Sequence, residues 1–180
     1  ELKGAVEALL RELRVPDAAF EADRENPSFH PGRCAVVRSG QTVLGVVGQL
    51  HPRIAGVYEL EEAYSAELDF GLLLGCRAGE ARYVPLPRFP AISRDIAVVC
   101  DKAVTVAALT DCIRRGGGAL LREVALFDIY TGAQVPEGKK SAAFSLRLRS
   151  DIATLTDADA DEATGKILEL LKTELGAVIR

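Results

Sequence analysis

A short proline-rich segment divides this chain of 180 residues into two parts. The segment runs from Tyr83 to Pro90 and has proline at positions 85, 87 and 90. Proline fixes φ and lacks a backbone N–H, so it disfavours both the interior of a helix and an inner strand of a sheet. The segment therefore predicts two domains, which we place at residues 1–84 and 87–180.

The composition is that of a packed globular protein. Hydrophobic residues make up 48% of the chain and charged residues 27%, which excludes the disordered class. No apolar run is long enough to span a membrane, and the first residues lack the layout of a secretion signal. We therefore expect a cytoplasmic protein without a membrane partner. Because the 180 residues include no Met, we also expect the chain to be a fragment of a longer protein.

The first part of the chain predicts an α+β unit built around a sheet. Apolar residues at helical spacing predict a helix over residues 3–13. Residues 35–38 and 42–48 predict two strands that are joined by a turn at Ser39 and Gly40. Residues 63–70 predict a third strand, and the apolar residues 72–74 predict a short turn after it.

The second part predicts the element order β-α-β-β-α-β. Strands are expected at residues 92–100, 120–130, 141–149 and 177–180, and helices at residues 104–115 and 156–175. Glycines 116–118 end the first helix, while Thr156 and Asp159 form a capping box at the start of the second. This order is typical of the ferredoxin-like sandwich, in which two helices cover one face of a sheet. The other face is then free to bind a ligand or a neighbour.

The sequence contains no recognisable catalytic or metal-binding pattern. The four cysteines include no C-x-x-C pair, and the two histidines stand at no ligand or triad spacing. The acidic run from Asp157 to Glu162 fails the calcium-loop pattern because its sixth position is Glu instead of Gly. Carboxylates in the first turn of a helix are favoured by the helix dipole. We therefore expect neither a catalytic residue nor a metal site.

One strand end predicts a surface for unpaired nucleotides. Alternation places Asp128 and Tyr130 on one face of their strand and Phe127 and Ile129 on the other. A phenol can stack on a base, and a carboxylate beside it can accept a hydrogen bond. A tyrosine at the edge of the core, next to a solvated basic strand, explains the same pattern equally well.

Basic residues near this strand are candidates for contacts with phosphate. From residue 87 onward the chain has 13 basic and 13 acidic residues, so binding of a polyanion would need a local basic patch. Adjacent strand residues point to opposite faces, so either Arg94 or Asp95 is expected on the open face. The other candidates on the same sheet are Lys139, Lys140, Arg147 and Arg149.

Seven motifs in a fixed order carry a resemblance to a known family. They are FHPGRCA (29–35), GVVGQLHP (45–52), ELD (67–69), RFPAISRDIA (88–97), FDIYTG (127–132), GKKS (138–141) and TLTD (154–157). Together they resemble the C-terminal end of the bacterial phenylalanyl-tRNA synthetase beta subunit. Ala153 departs from this pattern because it stands where the family often has arginine.

The resemblance implies a fold and a role for each part. Residues 1–84 would be the later part of a class II synthetase-like module that lacks catalytic residues and packs on the catalytic alpha subunit. Residues 87–180 would be a ferredoxin-fold anticodon-binding domain for the phenylalanine tRNA. The whole enzyme would be an alpha-two beta-two assembly that joins phenylalanine to its tRNA with ATP and magnesium, neither of which this fragment is expected to bind. The family's anticodon contacts would fall at Ala97, Asp128, Tyr130 and Ser141.

Two other functions are open to a ferredoxin-like domain. The first is a small-ligand domain of the regulatory or acylphosphatase kind, but a regulatory domain would not explain residues 1–84, and we find no Arg and Asn pairing suited to an acylphosphatase. The second is an assembly module whose open sheet packs on protein. Titration with the phenylalanine tRNA distinguishes these functions from anticodon binding.

Overall fold

The computed structural model of the chain describes residues 1–80, 83 and 85–180. The chain divides into two compact units, and the first of them ends at Tyr83. The predicted limit of the first domain falls at Val84, which lies outside the described residues. The limits at residues 84 and 87 therefore stay predictions.

The first unit contains a four-stranded antiparallel sheet and three helices. In chain order its elements are Leu2–Glu12 (α1), Ala18–Ala22 (β1), Phe29–Ser39 (β2), Thr42–Leu50 (β3), Pro52–Val57 (α2), Tyr64–Leu68 (β4) and Phe70–Cys76 (α3). The strand order is β1-β2-β3-β4, so every strand pairs with its neighbour in the chain. Buried side chains of α1, β2, β3 and α3 form the core of the unit, including Val6, Leu10, Val37, Leu44 and Leu73.

The structure confirms the predicted first helix and hairpin of this unit but corrects its later part. Residues 72–74 lie inside α3 and not in a turn, because the carboxylate of Asp69 caps this helix by accepting a hydrogen bond from the N–H of Leu72 at 2.9 Å. The strand predicted third is the fourth, since β1 precedes the hairpin. In β1 only Phe20 is half-buried, and the other four residues are exposed. This edge strand therefore lacks the alternation of apolar and polar residues by which a strand is predicted from sequence.

The second unit has the predicted order of elements. They are Ile92–Asp101 (β5), Val106–Gly117 (α4), Leu121–Tyr130 (β6), Lys139–Leu148 (β7), Asp157–Leu175 (α5) and Val178–Ile179 (β8). The sheet order is β6-β7-β5-β8, and each strand is antiparallel to its neighbours. The prediction of an α+β fold with a ferredoxin-like sandwich is confirmed.

Both helices of the second unit pack on the same face of its sheet. Leu109 and Ile113 from α4 and Ile167 and Leu171 from α5 contact the buried strand residues, which are Ile96, Val98, Phe144 and Leu146. The two helices approach closely at Gly116, where an added Cβ would lie 2.9 Å from the Cα of Ile167. Within this unit, the described residues place no helix on the opposite face, which we call the open face.

The start of α5 shows the predicted capping box. The Thr156 hydroxyl accepts a hydrogen bond from the backbone N–H of Asp159, and the Asp159 carboxylate accepts one from the backbone N–H of Thr156. Hydrogen bonds from Thr156 to this carboxylate hold the pKa of Asp159 below its usual value. At the other end, Gly176 adopts a left-handed conformation that ends the helix, as predicted.

Candidate nucleic-acid interface

Two adjacent rows of residues cross the open face. Strand register places Ala97 opposite Ala143 and Ala143 opposite Asp128, which forms the first row. It places Val99 opposite Ser141 and Ser141 opposite Tyr130, which forms the second. Directly opposed residues project from the same face of a sheet. The four positions carried over from the family, Ala97, Asp128, Tyr130 and Ser141, therefore lie together on the open face.

A β-bulge in β6 puts Asp128 and Tyr130 on this face. The register runs from Leu126 opposite Phe144 directly to Asp128 opposite Ala143, so Phe127 is the extra residue. Leu126 shares the helix-covered face with Phe144. If the alternation continued unbroken past Leu126, Phe127 and Ile129 would occupy the open face instead.

The floor of the open face is made of small side chains beside two carboxylates. Next to the row of Ala97 and Ala143, the register aligns Asp95, Ser145 and Ala125 in a further row. Small residues let a flat ligand approach the sheet, and the carboxylate groups of Asp95 and Asp128 can accept hydrogen bonds. Tyr130 is 37% exposed and is not buried under a helix. This surface can stack on a base and accept hydrogen bonds from amino or imino groups at the edge of that base.

Ser141 has the predicted orientation but almost no accessible surface. It is only 4% exposed, although it lies in the same row as Tyr130. Its hydroxyl therefore offers little area to a ligand in this conformation.

Arg94 lies on the wrong face for the predicted contact with RNA. Arg94 projects from the same face of β5 as buried Ile96, whereas Asp95 projects from the open face. The Arg94 Nη2 and Nε atoms lie 2.6 Å from Asp157 Oδ1 and 3.1 Å from Asp161 Oδ1. These hydrogen bonds, the one donated to Asp157 foremost, raise the pKa of Arg94. Of the two candidates for the open face, it is therefore Asp95 that lies there, while Arg94 ties β5 to the start of α5.

Lys140 is also on the helix-covered face. The register places it opposite Cys100, which is completely buried. Its Nζ donates hydrogen bonds to the carbonyl oxygens of Lys102 and Val104, in the connection between β5 and α4. The structure therefore places Lys140, a candidate for a phosphate contact, on the face opposite to Tyr130.

The two arginines of the third predicted strand differ in their surroundings. Arg147 is on the open face opposite Glu123, and its Nη1 lies 3.6 Å from a carboxylate oxygen of that residue in an exposed pair. Arg149 follows the end of β7 with a side chain only 23% exposed, and its Nε lies 3.8 Å from Asp151. Arg147 is thus available to a phosphate group, whereas Arg149 is largely enclosed.

Arg180 contacts Tyr130, although the sequence carries no signal for it. The carbon of its guanidinium group lies 5.5 Å from the centroid of the Tyr130 ring. Such contacts between distant parts of a chain have no local pattern, so only the structure reveals them.

Charges of both signs share the open face. Arg147, Lys139 and Arg180 stand against Asp95, Asp101, Glu123 and Asp128. Lys139 and Asp101 are opposed in the register, and their charged groups lie 3.6 Å apart. The face therefore has no strong positive field, and recognition of RNA here depends on individual contacts.

The histidines and cysteines serve local structure. Nδ1 of His30 accepts a hydrogen bond from the N–H of Gly32, and Nδ1 of His51 accepts one from Arg53 at the start of α2. Burial raises the pKa of the Cys34, Cys100 and Cys112 thiols, which favours their neutral form. Within residues 1–80, 83 and 85–180, no three His, Cys, Asp or Glu side chains form a group that could hold a metal ion.

Comparison with known families identifies both parts of the chain. Residues 87–180, more than half of the chain, match the ferredoxin-fold anticodon binding domain. The chain belongs to that family. Residues 1–70 match a second description, the phenylalanyl tRNA synthetase beta chain CLM domain. The second unit is thus the anticodon-binding domain, and the resemblance to the phenylalanyl-tRNA synthetase beta subunit is confirmed.

Members of this family with curated names are similar over the whole chain. The phenylalanine–tRNA ligase beta subunit of Symbiobacterium thermophilum is 46% identical over 180 residues, which cover 99% of this chain and 20% of the relative. The subunits of Moorella thermoacetica and Clostridium acetobutylicum are 45% and 42% identical, with 22% and 23% of their length covered. The chain therefore spans little more than a fifth of these relatives. None of the helices in the described residues is both long and apolar enough to cross a membrane.

Proposed function

We propose that the open face of the second unit binds the anticodon region of the phenylalanine tRNA. The observation that carries this proposal is the pair of rows that unites Ala97, Asp128 and Tyr130 on a face without a helix. Sequence-specific RNA recognition uses unpaired bases, which stack on aromatic rings and expose their edges to hydrogen bonding. An anticodon loop provides such bases.

The chemistry of the face suits base recognition better than backbone binding. Tyr130 offers a ring for stacking, and Asp128 offers an acceptor one row away. Arg147 is our candidate for a phosphate contact, while Ser141 and Arg149 take a supporting part because little of either is exposed. Because the face carries charges of both signs, general electrostatic attraction to the RNA phosphates is weak. We therefore infer that the parent enzyme makes further contacts elsewhere on the tRNA.

We propose that the first unit belongs to a class II synthetase-like module that packs on a catalytic alpha subunit in an alpha-two beta-two assembly. Large apolar side chains are exposed at the end of α2 and the start of α3, with Val57 at 77%, Tyr58, which follows α2, at 70% and Phe70 at 64%. Exposed large apolar side chains occur at protein interfaces, where a partner covers them. On this proposal the fragment has no catalytic role in the cytoplasmic ligase, and other parts of the enzyme bind ATP and magnesium.

Replacing the tyrosine tests the tRNA proposal directly. We expect Tyr130→Ala to weaken binding of the phenylalanine tRNA and its anticodon stem-loop by about 5-fold to about 150-fold, since stacking contributes about 1 to 3 kcal/mol per base. Fluorescence anisotropy with labelled RNA measures the affinity, and circular dichroism checks the fold. Tyr58→Ala is the matched control because it removes an exposed phenol from the first unit. Equal binding by the wild type and Tyr130→Ala would refute the proposal and favour an assembly module.

A further inference from the structure

Tyr130 and Arg180 come from opposite edges of the sheet and meet above its open face. Tyr130 lies on β6 and Arg180 follows β8, and these outer strands are about 14 Å apart because three strand spacings separate them. Even so, the guanidinium carbon is within 5.5 Å of the ring centroid, which is inside the range of a cation–π contact. The pair therefore bridges the middle of the face.

Arg180 is held at both its backbone and its side chain. Its backbone N–H donates a hydrogen bond to the carbonyl of Ala97 at 2.9 Å. Its Nη2 donates to Oε1 of Gln134 at 2.5 Å, in the loop between β6 and β7. These two bonds limit the positions that the guanidinium group can take beside the ring.

The same loop confines the hydroxyl end of Tyr130. A Cβ added at Gly132 would collide with the phenol oxygen, so any larger residue there would displace the ring from its present position. Gly132 and Gln134 thus hold the ring and its cationic neighbour from one loop.

The surface below the ring does not orient it. The strand residues nearest to it in the two rows, Ala143 and Ser141, have small side chains that offer an aromatic ring few contacts. A ring that is already ordered loses less conformational entropy when a base stacks on it. Resting on the proposed function, we propose that Arg180 is a positioning residue that orders Tyr130 for base stacking and acts on RNA through that ring.

A double-mutant cycle with the 180-residue chain and the anticodon stem-loop of the phenylalanine tRNA tests this role. We expect Arg180→Ala to weaken binding by about two- to five-fold, the range of one exposed cation–π contact. In the Tyr130→Ala background the same change should have no further effect, because the ring through which it acts is gone. Equal effects in both backgrounds, or no effect in either, would overturn the proposal.

The salt dependence separates positioning from a direct phosphate contact. We expect Arg180→Ala to leave the slope of log affinity against log salt concentration unchanged. Loss of a phosphate contact to a single strand would reduce the magnitude of that slope by about 0.7 and would contradict a positioning role. Arg114→Ala is the matched control, since it removes an exposed guanidinium group from α4 on the helix-covered side.

A second variant keeps the test decisive if Arg180→Ala disturbs β8. Gln134→Ala removes only the side-chain partner of Arg180, and we expect a weaker effect in the same direction, again absent in the Tyr130→Ala background. If Tyr130→Ala binds as well as the wild type, the proposed function itself fails. If Tyr130→Ala weakens binding while Arg180→Ala and Gln134→Ala do not, only the positioning role fails.

Discussion

Neighbouring cations of the second unit differ in role because of the face on which each side chain lies. Arg94 and Arg147 both belong to inner strands of the sheet, yet Arg94 joins Asp157 and Asp161 on the helix-covered side. Arg147 is on the open face with one exposed acidic neighbour, Glu123. The first is placed to stabilise the fold and the second to meet a ligand.

These two arginines should therefore give opposite results when each is replaced by alanine. We expect Arg94→Ala to lower the melting temperature without changing affinity for the anticodon stem-loop, because it leaves Asp157 and Asp161 without their cation. We expect Arg147→Ala to reduce affinity and to lower the salt slope by about 0.7 while stability stays within about 0.5 kcal/mol. Thermal unfolding and anisotropy titrations measure both properties. An RNA-binding loss confined to Arg94→Ala would contradict this assignment.

At the level of elements, the bulge in β6 decides which side chains reach the open face. Phe127 is the residue without a partner, and it is 60% exposed. The bulge lets Asp128 and Tyr130 share rows with Ala143 and Ser141 while Leu126 remains on the side of the helices. One additional residue thus changes the chemistry of the surface.

Two deletions of a single residue should separate the bulge from the length of the strand. Deleting Phe127 leaves a regular ladder in which Asp128 and Tyr130 keep their present partners, so we expect RNA affinity to stay within about threefold of the wild type, a difference below about 1 kcal/mol. Deleting Ile129 forces either Asp128 or Tyr130 toward the helices, and we expect a loss of at least about fivefold. The stem-loop titration measures both variants. Strong loss in the Phe127 deletion would instead indicate that Phe127 itself contacts RNA.

Helices α4 and α5 are linked by a charged pair that responds to pH. Arg115 donates hydrogen bonds to both carboxylate oxygens of Glu174, at 2.8 and 2.5 Å. These bonds hold the pKa of Glu174 below its usual 4.5. A carboxylate with a lowered pKa in the folded state stabilises the fold fully above its unfolded pKa, and this contribution is lost as the pH falls through the folded pKa.

Glu174→Gln should therefore be less sensitive to acid than the wild type. We expect this variant to melt at a lower temperature near about pH 7, with the difference shrinking toward about pH 3 as Glu174 is protonated in the wild type. Circular dichroism melts across this range provide the measurement, and Glu169→Gln on the same helix is the control. A difference in melting temperature that grows on acidification would contradict the assignment of this pair.

On the scale of the whole molecule, the second unit has the core of an independent domain. All the buried residues of its main hydrophobic cluster lie between residues 96 and 177. They come from strands of the sheet and from both helices. A further cluster around Leu148, Ala160 and Ala163 extends this core beneath the start of α5. A core contributed by one continuous stretch of chain is the usual basis for separate folding.

Residues 85–180 expressed alone should fold and retain the open face. We expect a cooperative thermal transition and an affinity for the anticodon stem-loop within about threefold of that of the 180-residue chain, a difference below about 1 kcal/mol. Circular dichroism and the same anisotropy titration measure both. A non-cooperative melt would show that the unit needs the first part of the chain. Cooperative folding with lost affinity would place part of the RNA site in residues 1–84.

Features that depend on nearby residues, or on the order of motifs along the chain, could be predicted from the sequence. Periodicity identified the elements of the second unit, and a capping box and a glycine marked the ends of α5. Seven ordered motifs identified the family, and alternation paired Asp128 with Tyr130. These features depend on residues close together in the chain or on their order along it. Sequence periodicity missed β1 and α2 because a mostly exposed edge strand and a six-residue helix carry too few apolar positions.

The face that each residue occupies, and the distant residues that it meets, could be read only from the folded chain. Alternation left open whether Arg94 or Asp95 faces the open side, and Lys140 was a candidate for a phosphate contact on the same sheet. The structure places both Arg94 and Lys140 on the helix-covered face, in line with buried Ile96 and Cys100. The bulge at Phe127 sets the orientation of Tyr130. Arg180 follows the strand at the opposite edge of the sheet, and its side chain reaches the Tyr130 ring. Along a strand, successive side chains point to opposite faces of the sheet, which is a local rule. Which of the two faces becomes buried depends on where the helices pack and on pairing with strands that are distant in sequence.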